Sequence, residues 1–469
     1  MKKNVPKRWA RKKDYAYLTY SSNSWISLPR SIEPDDLKRL LKKRFTPKIK
    51  SMILILLRTG MRISELLALK LKDTDLKQRI IIIHESAKTG VGRIVYMSDD
   101  THKALKNAPF LSGEMGKAGT DCSDCHGSGH KSATDVANVQ LPTEKTCQKC
   151  HEEKHDQYMA GKHAAAWIAM NAMPATGLQP HAYIQGMKGC GGCHKVGVRD
   201  EASRKEARYG SPCDSCHTRH KFSKEEANRP EACRTCHMGF DHPQWEMWSG
   251  SKHGVIYQTE GDTGRAPKCQ TCHMEDGDHG VMTSWGFLAV RLPEDDPEWM
   301  GYRATILKGL HVLDPEGNPT ARLDVVKAGK VARLTKEKWQ APRDKMLKVC
   351  SQCHSKSYAQ TSLENGDAMI KEADKLMAEA IEIVADLYAK GIIKPEEGKA
   401  AYPDLLNFYD AITPIEQTLY VMFLEHRMRA FQGAFHMNPD YVTWYGLAEM
   451  KKDLVEIKSE ATRMIHESK

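Results

Sequence analysis

Seven copies of Cys-x-x-Cys-His lie between residues 122 and 354, and they use all fourteen cysteines of the chain. They are Cys122-Ser-Asp-Cys125-His126, Cys147-Gln-Lys-Cys150-His151, Cys190-Gly-Gly-Cys193-His194, Cys213-Asp-Ser-Cys216-His217, Cys233-Arg-Thr-Cys236-His237, Cys269-Gln-Thr-Cys272-His273 and Cys350-Ser-Gln-Cys353-His354. Two thiols at this spacing reach both vinyl groups of one porphyrin, and the adjacent His then falls under the iron as its proximal ligand. A disulfide framework needs no His after every pair. A zinc half-site explains one motif, not seven with no cysteine left over. The sequence therefore reads as a multiheme c-type cytochrome with seven covalently attached c hemes. Such a chain can use porphyrin as core, which suits a content of 40% hydrophobic residues and a mean hydropathy of −0.57.

A six-coordinate iron needs a second axial ligand. Fourteen of the 21 histidines lie outside the motifs. In or near the heme region are His130, His155, His163, His181, His220, His242, His253, His279, His311, His426 and His436. Those from His130 to His311 are the expected distal ligands, because bis-His ligation needs about one further His per heme. The spacing does not pair them with particular motifs. An iron without a distal protein ligand is open to substrate, whereas seven bis-His irons make a pure electron conduit.

The expected fold is mainly α, with sparse secondary structure around the hemes, a C-terminal helical bundle and a small α/β fragment at the N-terminus. Residues 1–110 hold no cysteine and read as helices near Glu33–Arg44, Lys48–Thr59 and Ile63–Leu69, with Gly60 as a stop. Ile80–His84 and Arg93–Met97 read as a hairpin around Lys88-Thr89-Gly90-Val91-Gly92. Residues 111–360 form the heme region. In residues 361–469, Ile370, Ala373, Leu376, Ala380, Ile383 and Leu387 predict a helix over Ala368–Lys390, stopped by Gly391. Thr413-Pro414-Ile415-Glu416 starts another that runs to about Ala434: Thr caps, Pro takes the first turn, and Glu follows three residues after the cap. Leu447–Glu467 is the last. This tail reads as helical packing or oligomerisation.

Charge divides the chain. The first fifty residues carry fifteen Lys and Arg against four Asp and Glu, while the whole chain has a net charge of +10, so the remainder is near neutral. A basic end on a neutral body suggests two segments of different origin. No stretch is apolar for the length of a membrane span. No hydrophobic secretory segment or cleavage site follows the basic N-terminus. Covalent heme attachment nevertheless predicts a periplasmic or otherwise extracytoplasmic location.

From Asp121 to about Met450 the sequence resembles the octaheme hydroxylamine oxidoreductases. The matching residues are Cys122–His130, Gly161-Lys162-His163, Arg208-Tyr209-Gly210 before Cys213–His220, Cys233–His242, Ser251-Lys252-His253-Gly254 and Asn438–Gly446. The family has eight hemes, and the position of its first lies upstream of Cys122 with no counterpart here. Counting from there, the family's catalytic heme corresponds to Cys190, Cys193 and His194. In hydroxylamine oxidoreductases that heme, called P460, is cross-linked to a Tyr from a neighbouring subunit of a trimer. Tyr441 and Tyr445 both stand in the matching motif. A distal acid–base pair is also implied, for which Asp241 and His242 are the candidates, with His253 nearby in sequence.

The resemblance implies an oxidoreductase that takes hydroxylamine to nitric oxide or nitrite, or hydrazine to dinitrogen. It would act at one open heme and pass electrons through bis-His hemes to a small cytochrome c. Two alternatives stay open: a reductive relative forming ammonium from nitrite or hydroxylamine, and a non-catalytic electron-transfer cytochrome.

Leu57-Arg58-Thr59-Gly60-Met61-Arg62-Ile63-Ser64-Glu65-Leu66 resembles the first catalytic box of tyrosine recombinases of the phage-integrase type. The resemblance spans residues of roughly 25–107. It matches Arg62 to the Arg that contacts the scissile phosphate and Lys88 to the hairpin Lys. The second box, the later His/Trp and the nucleophilic Tyr have no match, so the segment reads as a remnant without cleavage chemistry. Weak, salt-sensitive DNA binding and a merely solvated basic face are its two readings. A gene fusion and an assembly error would both produce such a junction.

Overall fold

One Cys-x-x-Cys-His run closes one helical turn. The His N–H donates to the carbonyl of the first cysteine in His151→Cys147 (2.9 Å), His217→Cys213 (3.1 Å), His237→Cys233 (2.9 Å) and His354→Cys350 (3.0 Å). Residues three and four apart on a helical turn share a face, so both thiols and the imidazole project together. Cys122–His126, Gly189–His194 and Cys269–His273 are each little more than one motif folded in this way.

The computed structural model describes residues 47–69, 73–84, 92–106, 113–120, 122–129, 138–172, 189–202, 210–239, 242–281, 290–330, 332–407 and 410–469, together with Asp35, Arg39, Leu40 and Lys42. The turn holding Lys88, most of the expected Glu33–Arg44 helix, His130, His181 and Asp241 lie outside them. The fold is mainly helical, as the sequence predicts.

In the N-terminal part, strands β1 (Thr74–Asp75), β2 (Ile80–Ile83) and β3 (Arg93–Tyr96) form an antiparallel sheet in that order, with Ile81 opposite Val95. Its buried core is Ile55, Met61, Ile81, Ile83, Met97 and Leu105. Gly60 ends the Pro47–Thr59 helix at φ +65, a left-handed value that suits glycine. Buried Glu65 takes a two-pronged pair from Arg93, at 2.9 and 2.8 Å.

The heme region is built from short helices and turns, so apolar packing concentrates after it. The Lys356–Ala389 helix, 34 residues long, is the axis. Pro297–Gly309, the continuous Pro414–Phe435 run and Ala448–Glu467 pack on it. Ile306, Leu310, Met377, Ile381, Val384, Leu387, Met422, Phe423, Met450 and Ile457 fill the interface. The axis begins at Lys356 rather than at the expected Ala368, because Ser355 Oγ caps it by accepting from Tyr358 N at 3.2 Å. Gly366, inside this helix, weakens the helical signal in sequence. Residue 361 therefore falls inside a helix.

Asp374 ties the bundle together. It accepts from Trp299 Nε1 (2.7 Å), pairs with Arg303 Nε (2.7 Å), and accepts from Arg427 Nε (2.9 Å) and Nη2 (2.6 Å). Asp374 and both arginines are fully buried. Among the described residues, no helix is long and apolar enough to cross a membrane.

Candidate heme-binding and redox site

Four motif histidines each face a histidine from elsewhere. Ring centres are 6.3 Å apart for His126 and His220, 6.2 Å for His217 and His279, 6.0 Å for His237 and His163, and 6.0 Å for His354 and His253. A metal–imidazole bond is about 2.0 Å and the ring centre lies about 1.1 Å further, so two imidazoles across one metal stand about 6.2 Å apart. The donors fit axial ligation of a heme iron. Among the described residues, no three His, Cys, Asp or Glu side chains gather as a metal cage.

Ligation needs a neutral imidazole with one nitrogen turned to the metal. Burial pushes His237 down to about 3 and His273 to about 4, and it lowers His163, His217, His253, His279 and His436. Backbone carbonyls fix the Nδ1 side of several rings: Gln140 O for His126 (3.1 Å), Ala166 O for His194 (2.7 Å), Gly277 O for His279 (2.9 Å) and Gln432 O for His436 (2.8 Å). Gln244 Oε1 does so for His237 at 3.2 Å. Nε2 is then the nitrogen left for iron. His220 reaches His126 from a left-handed backbone position, φ +69, which a non-glycine residue holds at some cost.

The motifs are neighbours in a fixed order. Cys125 lies beside Cys147 and Cys150, and Cys147 contacts Cys213. Cys216 lies beside Cys233 and Cys236. There the contacts divide: Cys236 meets Cys193, and Cys233 meets Cys269. Cys272 then lies beside Cys350 and Cys353. The first, second, fourth and fifth motifs form a line that forks at the fifth. Among the described residues, one arm reaches the third motif and the other runs through the sixth to the seventh.

The remaining predicted residues fall as follows. His242 stands edge-on to His237 with ring centres 6.3 Å apart, and its charge acts on Cys236. It thus lies where the third and fifth motifs meet. His155 has Nδ1 3.0 Å from Asp156 Oδ1, one turn after His151. His311 follows the Pro297–Gly309 helix, and its Nε2 lies 3.2 Å from Pro403 O. His436 is a further ligand candidate from the C-terminal part: after burial, it is the neighbour that most affects His273.

Tyr441 and Tyr445 stack with ring centres 4.9 Å apart on a π-helical turn over Tyr441–Leu447. Burial raises the Tyr441 hydroxyl above its usual range. Asn438 fastens this turn to the heme region, with Nδ2 donating to Met247 O at 2.9 Å and Oδ1 accepting from Tyr441 N at 3.1 Å. Tyr445 is 51% exposed and Trp444 is 64% exposed.

Residues 118–291 and 321–400, over half the chain, match the family model described as seven times multi-haem cytochrome CxxCH. The chain belongs to this multiheme cytochrome family. Residues 30–116 match the phage integrase family, so the N-terminal part is an integrase-like remnant. A probable nitrite reductase-hydroxylamine oxidoreductase fusion protein of Kuenenia stuttgartiensis is 27% identical over 426 residues, covering 74% of this chain and 45% of that protein. The chain thus spans about half the length of that curated relative. Among solved structures, a reducing HAO-like protein complex of Kuenenia stuttgartiensis aligns with a TM-score of 0.57 and 25% identity, over 77% of this chain and 80% of that one. A hypothetical multiheme protein, at 21% identity over 74% of this chain and 84% of that one, shares the fold with a TM-score of 0.53. By their descriptions, the curated relative and the first of these structural neighbours are of the nitrite reductase, hydroxylamine oxidoreductase or HAO-like kind.

Proposed function

We propose that this cytochrome oxidises hydroxylamine, to nitric oxide or nitrite, or hydrazine, at the heme of Cys190, Cys193 and His194, and passes the electrons to an acceptor cytochrome c. The observation that carries this reading is the forked line of motifs among the described residues, in which the third stands on a side arm beside the fifth. Seven hemes c, held at the Cys-x-x-Cys-His motifs, would supply substrate binding and electron transfer when bound.

The chain's own residues do the rest. Ala166 O keeps the His194 ring in one tautomer and raises the basicity of its Nε2. His242, beside the third and fifth motifs, is suited to take up protons as electrons leave, with Asp241 as the implied partner. His163, His220, His253 and His279 serve as distal ligands, and His436 serves the sixth motif. Tyr441 or Tyr445 of a neighbouring copy is the cross-linking residue of a homotrimer. Heme attachment puts the protein outside the cytoplasm.

The test is the absorption spectrum of the dithionite-reduced holoprotein. A red-shifted P460-type band, lost in Tyr441→Phe or in Tyr445→Phe, supports oxidation and names the residue. Ordinary c-heme bands in all three proteins contradict it. A second reading, reduction of nitrite or hydroxylamine to ammonium, draws support from the reducing HAO-like structural neighbour. It predicts those ordinary bands together with viologen-driven ammonium formation.

A further inference from the structure

The Glu152–Ala160 helix ends on Gly161, and Lys162 and His163 follow. Its last turn is held on one side by Lys330, whose Nζ donates to the carbonyls of Met159 (2.6 Å), Ala160 (3.1 Å) and Gly161 (3.4 Å). The segment His279–Val281 crosses the other side. Lys162 N donates to Val281 O at 2.9 Å, and His279 N donates to Gln157 Oε1 at 3.1 Å. Gly161 has φ −77 and ψ 173, which any residue can adopt. The glycine is required by space instead. A Cβ there would stand 2.9 Å from Val281 N, 3.0 Å from His279 O and 3.2 Å from Gly280 C, and all three are backbone atoms. The two backbones touch at Gly161.

Each backbone carries a distal imidazole close to that contact. His163 faces His237, and His279 faces His217. The two motifs served are themselves neighbours, since Cys216 lies beside Cys233 and Cys236. We propose that the Gly161 crossing is a single positioning element shared by two irons. It sets together the reach of His163 towards the His237 motif and of His279 towards the His217 motif. The inference rests on the pairwise ligation proposed above. Because the contact is backbone against backbone, an added methyl has no flexible side chain to displace. It must part the two segments, and both imidazoles move with them. Gly161, Gln157 and Lys330 are positioning residues in this scheme.

The test uses electron paramagnetic resonance of the oxidised holoprotein. His163→Ala and His279→Ala each remove one low-spin component and so assign it; His220→Ala and His253→Ala assign two control components. In Gly161→Ala, both the His163 and the His279 components shift or turn high-spin, and the two controls stay in place. If the four His variants assign four components but Gly161→Ala moves only one of the first pair, or neither, the shared crossing is overturned and the ligation stands. If His163→Ala or His279→Ala changes nothing, both fall. Lys330→Met guards against a Gly161→Ala protein that does not fold. It releases the same helix end without adding bulk, and it must move at least the His163 component, with Lys330→Arg restoring it. A Lys330→Met spectrum identical to the parent likewise overturns the proposal.

Discussion

At the scale of single residues, burial favours the neutral form of the imidazoles. Where a carbonyl also takes the Nδ1 side, as Gln432 O does at His436, Nε2 is the nitrogen left for a metal. His436 carries the clearest prediction. His436→Ala should convert one low-spin heme to high-spin, seen as loss of one low-spin resonance component with the other hemes unchanged. An unchanged spectrum would remove His436 from the ligand set. Asp374 carries a second. Asp374→Ala leaves Arg303 and Arg427 buried without their shared carboxylate, at a cost of about 3–5 kcal/mol. Thermal unfolding should show it as a large drop in Tm. A change confined to the heme spectrum would contradict that role.

What the sequence reveals of these residues follows from chain distance. The proximal His is legible because it sits next to its cysteines. The proposed distal partners are not, since His220, His253 and His279 come to face His126, His354 and His217 only through the tertiary fold. His311 stands near the heme region in sequence, and the fold brings its Nε2 to Pro403 O. His436 reads from sequence as part of a packing tail, and only the fold of that tail brings it to His273.

At the scale of elements, helix starts are the best-marked feature. Thr413 caps the Pro414 helix as expected, with Oγ1 accepting from Glu416 N at 3.4 Å. The hairpin of Ile80–Ile83 and Arg93–Tyr96 also follows its β-branched pattern. The π-helical turns at Met422–Arg427 and Tyr441–Leu447 have no sequence signal, and the second packs closely on the Met428–Phe435 helix. Gly446 illustrates this. A Cβ there would lie 2.7 Å from both the N and the Cα of Ala430, so the glycine lets the two π-bearing segments touch. Gly446→Ala should cost about 1–3 kcal/mol by overpacking and lower Tm, while Gly398→Ala, in open space, should affect it only through its left-handed φ of +78. An unchanged Tm in Gly446→Ala would mean the segments part without strain.

At the scale of the whole molecule, two features stand out. Among the described residues the line of motifs runs from the first to the seventh, with the third on a side arm. The turn that carries Tyr441 and Tyr445 presents Trp444 and Tyr445 to the surface. Exposed large aromatics on a rigid, tied-down turn suit a contact with a second copy. Trp444→Ser should therefore lower the oligomeric state in sedimentation, with the c-heme bands retained. An unchanged mass would take this surface out of the interface.

The most direct measurement adds hydroxylamine to the fully oxidised holoprotein and follows the heme α-bands. Oxidation at the His194 heme, with electrons spreading along the forked line, predicts growth of the ferrous bands and formation of nitric oxide or nitrite. Bands that stay ferric, together with reoxidation of the dithionite-reduced protein by nitrite or hydroxylamine and release of ammonium, would contradict it.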